Sequence, residues 1–389
     1  MPQLWPYSVE RIYFGPSSVH SFLGQHRQLL SGQGLRNIKK RMSHRQSITA
    51  AEVVLPCTEL EATLEFYIKE LGFRIEAIFP ADDPAVARLS GHGLTLRLER
   101  GLDSSPGLLR LSAAQLEEAQ ELIAPNGTRI RFEPADEMSP LPANQPGLAL
   151  SQLKDEETWK RGRAGMRYRD LIPDRWGGRF IASHIRIPEG GPVSDYVHYH
   201  KVRFQIIYCY KGAVWMVYED QGEPFLMQAG DCVLQPPEIR HQVLETVAGL
   251  EVIEIGCPAL HPTFADHDMA LPTGRLAPDR KFDGQQFVWH RASEARWRPW
   301  RQSGLEARDI GIAKATNGLA GAQVIRSSQG SASIRGPYRG EFQMLFLLHG
   351  TAQFGGEWLE AGSALAIPPE MDYQITLAGE LLEVCLPAL

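Results

Sequence analysis

Residues 198–212 read HYHKVRFQIIYCYKG and residues 229–243 read AGDCVLQPPEIRHQV, and together they decide the fold. In the first stretch, His198 and His200 stand two apart in a run of β-formers, so period-two geometry puts both imidazoles on one face of a strand. Gln205 heads the apolar run that Gly212 closes, which places it on the next strand. In the second stretch, Gly230 opens a strand, Pro236-Pro237 turns the chain, and His241 begins the strand that returns. Three imidazoles and a carboxamide from adjacent strands suit a borderline divalent cation.

The chain then repeats itself. FQIIYCYKG at 204–212 returns as FQMLFLLHG at 342–350, and AGDCVLQPPEIRHQV at 229–243 returns as AGSALAIPPEMDYQI at 361–375. RYRDL near 169 is echoed by EARDI near 308, and CPAL at 257–260 by LPAL at 386–389. The echoes keep their order, so a whole domain is duplicated. At the positions of His198, His200 and His241 the second copy has Gly336, Tyr338 and Tyr373, while Gln343 keeps the place of Gln205. One amide and two phenols will not hold a divalent ion, so the second copy is expected to be metal-free and to pack against the first.

These motifs resemble the paired motifs of the cupin family: HxH, an acidic residue four or five further on, a Gly, and then G…P…H. Only the acidic position departs, being Gln205. A lone histidine on an apolar strand is ordinarily a packed core residue; three at this spacing read as ligands. The resemblance implies a mainly β protein with two tandem jelly-roll barrels, a bicupin, in which His198, His200, Gln205 and His241 hold one divalent transition metal. Fe(II) is favoured, with Mn, Ni, Zn and Cu as alternatives.

With glutamine in place of the acid, the expected ligand set is neutral and the metal keeps its charge, which favours a chelating anion such as an enolate, a catecholate or a 2-oxo or 2-hydroxy carboxylate. Three-histidine cupins include dioxygenases acting on diketone-like or phenolic substrates, so the resemblance implies an oxygenase with His198, His200 and His241 at its catalytic centre. Two other readings stay open: a metal-dependent isomerase or lyase using the ion as a Lewis acid, and a non-catalytic protein that binds or senses a small molecule. Strand alternation turns Tyr196, Ile207, Cys209 and Val243 inward with the ligands, giving an apolar bowl with Tyr196 as a polar handle on the substrate. Cys209 has no base beside it and reads as a small hydrophobe. His184 reads as packed, His261 and His267 as surface residues of a Pro-punctuated loop, and Arg240 as a surface charge. RWRPWR at 296–301 reads as a packing patch.

Ahead of the barrels, residues 49–135 read as a small α+β unit: strand EVVLP, a helix in TELEATLEFYIKELGF with Thr58 as N-cap and Gly72 past its end, then strands RIEAIF, AVARLS and LTLRLE. A strand LLRL, a helix AAQLEEAQELI and the segment APNGTRIRF follow. LEATLEFYIKELGF and this element order resemble the glyoxalase, or vicinal-oxygen-chelate, family. That family's four metal positions fall here near Glu52, Glu99, Gly107 and Arg131, and the last two cannot serve, so this unit is expected to be an interaction or lid module without its own metal.

The remaining boundaries follow from composition. At 389 residues the chain suits two or three domains. Residues 1–48, with seven basic residues against Glu10, read as a poorly ordered tail, and translation starting at Met42 is an attractive alternative. Residues 136–158 read as a Pro-rich linker, 159–262 as barrel one and 280–389 as barrel two. A net charge of −6 argues against a nucleic-acid partner. Five scattered cysteines without a CxxC pair point to reduced thiols and a cytoplasmic setting. No apolar run is long enough for a membrane span. A small-molecule substrate and homodimerisation through cupin sheets are the expected partnerships.

Overall fold

A computed structural model describes residues 48–114, 116, 118–135, 141–153, 159–162 and 165–389. The expected basic tail, apart from Ile48, lies outside the described residues. The chain divides into two compact units, 1–137 and 138–389.

In the first unit, β1 (Val53–Cys57) leads into helix α1 (Leu60–Lys69). Leu60, Tyr67 and Leu71 are buried along one face of this segment, as the 3.6-residue period requires. The N-cap position is Glu59 rather than Thr58, and no side chain caps it; the Thr63 hydroxyl instead donates to the Glu59 carbonyl at 2.7 Å. Gly72, past the helix end, takes φ +71°, a conformation that favours glycine. Next come β2 (Arg74–Phe79), β3 (Val86–Gly91) and β4 (Leu94–Arg100), forming a sheet of order β1-β4-β3-β2 in which β1 and β4 are parallel. A second sheet, β5 (Leu108–Ala113), β6 (Gln120–Ile123) and β7 (Arg129–Pro134), has order β5-β7-β6 with β5 and β7 parallel. Gln120–Ile123 is therefore a strand where a helix was expected. Its pairing with β7 satisfies the backbone that the helix would have satisfied internally. The Glu52 carboxylate pairs with Arg88 at 3.2 Å and that of Glu99 with Arg97 at 2.8 Å.

The second unit is two tandem double-sheet barrels, mainly β as expected. It opens with β8 (Ala149–Ser151), inside the stretch read as linker, and β9 (Lys160–Arg161). Barrel one contains β10 (Arg167–Asp170), β11 (Ile181–Ile187), β12 (Gly191–Pro192), β13 (His198–His200), β14 (Phe204–Lys211) and β15 (Ala213–Tyr218). It continues with β16 (Phe225–Gln228), β17 (Cys232–Leu234), β18 (His241–Thr246), β19 (Leu250–Cys257) and β20 (Thr263–Ala265). The connection carries β21 (Lys281–Phe282), β22 (Gln285–Gln286) and β23 (Val288–His290). Barrel two comprises β24 (Arg298–Pro299), β25 (Leu305–Asp309), β26 (Gly321–Ser327), β27 (Ala332–Arg335), β28 (Phe342–Phe354), β29 (Glu357–Glu360), β30 (Ala364–Ala366) and β31 (Gln374–Leu386).

Barrel one is built from a sheet of order β23-β17-β14-β19-β11-β10-β9 facing one of order β16-β15-β18-β13-β20, with β12 on β18. In barrel two the counterparts of β14–β15 and β18–β19 are the unbroken 13-residue strands β28 and β31, which run through both faces. They pair antiparallel along their length, with an irregularity beside the opposed Gly350 and Gly379, which both take positive φ; a Cβ on either would overlap the other strand's backbone. The barrels also exchange strands. β8, which precedes barrel one, pairs with β30 of barrel two, and β23, which precedes barrel two, pairs with β17 of barrel one.

One apolar cluster spans the joint between the barrels. Phe180 of barrel one stacks on Phe342 of barrel two at 4.3 Å, with Trp176 edge-on to Phe342 at 5.3 Å. Both Phe side chains are fully buried, which contributes about 1.5–3 kcal/mol each. Polar bonds fix the register. Glu341 accepts from Arg179 and Arg203, and Arg169 donates to the carbonyl of Gly362. The duplicated counterpart of Arg169, Arg308, donates to Tyr208 across the same joint. Burial lowers the Arg169 pKa to about 10, with Arg186 adding to the effect.

Candidate metal centre

His198 on β13 lies directly opposite His241 on β18, and their rings are 4.3 Å apart. The His200 ring, two residues along the strand, is 5.3 Å from that of His198 and 5.4 Å from that of His241. One ligand atom from each ring falls within 4.8 Å of the other two, and among the described residues this is the only such cluster of three His, Cys, Asp or Glu side chains. His198 and His241 are buried and His200 is half-buried.

The backbone sets the tautomers. Nδ1 of His198 donates to the Tyr196 carbonyl at 2.8 Å, Nδ1 of His241 to the Ile239 carbonyl at 3.0 Å, and Nδ1 of His200 to the Pro262 carbonyl at 3.2 Å. A carbonyl only accepts, so each Nδ1 carries the proton and Nε2 is the nitrogen that would meet a metal. Asp195 Oδ1 lies 3.5 Å from His198 Nδ1 and steadies the same proton.

Gln205 comes from β14, on the facing sheet rather than an adjacent strand. Its Nε2 donates to Glu254 Oε1 at 2.6 Å, and its Oε1 is buried without a hydrogen-bond partner. Three neutral imidazoles with unprotonated Nε2 atoms, beside a carboxamide in the same cavity, are a donor set that fits a divalent transition ion. Glu254 is the residue that sequence reasoning missed. It puts a carboxylate into the bowl, beside the neutral set of three histidines and Gln205. The signal was present as the second-copy echo of the pair, Gln343 with Glu383.

The histidines, Gln205 and Glu254 line a cavity of about 110 Å³ whose remaining wall is largely apolar, with Met166, Met216, Met227, Ile207 and Val243 among its residues. Ile207 and Val243 thus lie where alternation put them. Tyr196 does not: it is 43% exposed and off the cavity wall, because its strand has not yet begun and the chain there is a loop. Cys209 is buried in packed core beside the cavity, its thiol turned to the carbonyls of Lys211 and Gly212. Burial, with Asp231 nearby, pushes that thiol up to about 12, so it is no nucleophile near neutral pH. Tyr218, unnoticed in the sequence, stacks on His241 at 5.4 Å and accepts from Gln235, another cavity residue, at 2.7 Å.

The other histidines lie apart from the triad or at its edge. His184 is fully buried at the joint between Arg169 and Glu251. His261 is half-buried, its ring 5.3 Å from that of His200, and His267 lies 6.2 Å from Tyr196. Arg240 is tied to Asp266 at 3.0 Å and stacks on Tyr199. Among the described residues no helix is long and apolar enough to cross a membrane.

The chain matches no protein-family model and no curated protein. Among solved structures it is similar to oxalate decarboxylase from Bacillus subtilis, at 13% identity and a TM-score of 0.44 over 62% of this chain and 76% of that one. It is likewise similar to a salicylate 1,2-dioxygenase from Pseudaminobacter salicylatoxidans, at 16% identity and a TM-score of 0.46 over 65% of this chain and 88% of that one.

Proposed function

We propose that barrel one is the metal centre of a cupin-type oxygenase acting on a small chelating organic anion such as an enol, a β-diketone or a phenolic compound. The observation that carries this reading is the convergence of three imidazoles, each with its tautomer set by a backbone carbonyl, in a largely apolar bowl. A bound divalent transition ion, Fe(II) in our reading, would supply Lewis acidity and, being redox-active, chemistry with dioxygen.

The chain's own residues do the rest. Among the described residues no Lys or Arg lines the cavity, so a substrate anion meets no protein cation from them there. Its charge must therefore sit on the atoms that chelate the ion. The Glu254 carboxylate disfavours a second negative group elsewhere on the ligand. The Met, Ile and Val wall keeps water away from the bound ligand and selects a compact apolar body. All five cysteines are free and buried, which supports the cytoplasmic setting.

The test is oxygen uptake by Fe(II)-loaded protein offered acetylacetone or catechol, beside the His241→Ala variant. Uptake by the parent with one of the two, reduced about a hundredfold or more in the variant, supports the oxygenase. Product without oxygen consumption would make it an isomerase or lyase. A parent that binds metal and both probes without turnover would make it a binding protein.

A further inference from the structure

The RWRPWR stretch does two things, and only one of them is packing. Trp297 packs against the apolar cluster at the joint, and the Arg326 guanidinium lies 4.0 Å over its outer face. The residues on either side of it line a cleft of about 670 Å³, Arg296, Arg298 and Trp300 among them. One wall of that cleft is β23, which is hydrogen-bonded into barrel one's sheet. The opposite wall is β24 and β25 of barrel two.

Four guanidiniums line the cleft: Arg291, Arg296, Arg298 and Arg301. Arg291 is matched by Glu294 at 2.7 Å. Arg301 lies over the Trp300 ring at 4.3 Å and 3.5 Å from Glu383, a carboxylate already bonded to Gln323 and Gln343. Arg296 and Arg298 have neither an ion pair nor a side-chain hydrogen bond among the described residues. Asp309 is the other acid on the wall, and it accepts from the Gly311 amide. The His290 ring also lines the cleft, and its buried Nε2 has no hydrogen-bond partner.

The cleft carries four guanidiniums against two carboxylates, Glu294 and Asp309, on a chain whose net charge is −6. Low-dielectric walls focus such a field, and planar guanidinium forks match the two-oxygen edge of a carboxylate or phosphate. The cleft falls within the size of small-molecule sites, roughly 300–1,000 Å³.

We propose that this cleft binds a small organic or inorganic polyanion carrying two or more phosphate or carboxylate groups, with Arg296 and Arg298 as its principal anchors. Because the walls come from both barrels, the bound ligand ties β23 to β24. The site is separate from the metal bowl and does not depend on the activity proposed for it.

The test is calorimetric titration of the full chain with inorganic pyrophosphate in one arm and tricarballylate in the other, beside the Arg296→Ala/Arg298→Ala variant and at two salt concentrations. Saturable binding by the parent in either arm, weakened by about tenfold or more in the variant, supports the site. The tighter arm identifies phosphate or carboxylate as the recognised group. The variant's metal content and circular dichroism should match the parent's, since neither arginine is buried. No saturable binding in either arm, or binding that survives the double substitution, would overturn the proposal. The second outcome would place the anion at the metal bowl or on the general surface.

Discussion

The two barrels share a polar pair and differ in what surrounds it. Gln205 donates to Glu254 in barrel one, and Gln343 donates to Glu383 at the matching positions of barrel two. Both glutamines keep an orphaned Oε1. Around the second pair, however, Gly336, Tyr338 and Tyr373 stand where the first has His198, His200 and His241. A Cβ on Gly336 would overlap the Tyr373 ring, so the phenol occupies the room a histidine would need. Tyr373 accepts from Gln343 at 2.9 Å, and Tyr338 donates to the Pro387 carbonyl at 2.5 Å. Burial, reinforced by Glu383, holds the Tyr373 phenol up at about 12, so it stays protonated near neutral pH. The glutamine–glutamate pair is therefore common to both barrels, and the proposed metal site rests on the three positions that differ. Barrel one keeps a cavity there; barrel two has packed it shut.

That contrast can be broken by mutation. The largest effect is expected from Tyr373→Ala, which empties packed core in barrel two and should cost about 3–5 kcal/mol in urea denaturation, leaving metal content unchanged. A cost below about 1 kcal/mol would mean that barrel two holds a tolerant cavity after all. Next is the glutamate pair. Glu383→Ala strips a fully buried acceptor from Gln323 and Gln343 and should cost about 2–3 kcal/mol, whereas Glu254→Ala, in a partly open bowl, should cost about 1 kcal/mol. Equal costs would contradict the distinction between a packed and an open interior.

A smaller effect concerns the joint that holds the barrels together. Partial burial pushes the Glu341 carboxyl up, but the bonds from Arg203 and Arg179 outweigh it and hold the pKa below the usual carboxylate value. A depressed folded-state pKa gives stability that is present above the unfolded pKa of about 4.3 and is lost as pH falls through the folded value. Glu341→Gln should therefore lose about 1 kcal/mol at neutral pH and converge with the parent at the acid end. Parallel pH–stability curves would argue against this bridge. The smallest effect is expected at Tyr196: because its ring is off the cavity wall, Tyr196→Phe should leave metal content and oxygen uptake unchanged.

Local pattern made much of this legible. The duplication was visible in ordered sequence echoes, the two barrels in what the cupin resemblance implies, and the inward positions of Ile207 and Val243 in period-two alternation, which is a local property. Tyr196 escaped it because the period holds only inside a strand, and β13 starts at His198. Gln120–Ile123 carries a helix-like composition but pairs with β7, where tertiary hydrogen bonding overrides local preference. Glu254 was invisible for another reason: its partner Gln205 lies 49 residues away on a neighbouring strand, and only the echo in Gln343 and Glu383 could have exposed it. The strand exchange at β8 and β23 was likewise beyond a linear reading, since three-residue strands carry little signal.

The central claim is that one barrel holds a metal and the other cannot. Its most direct test is the ratio of bound metal to chain after anaerobic loading with Fe(II) and removal of excess, for the parent and for the His198→Ala/His241→Ala variant. The account predicts about one ion per chain in the parent and close to none in the variant. Two ions per chain, or one that survives loss of both histidines, would contradict it by placing metal in barrel two or elsewhere, and none in the parent would deny barrel one its site.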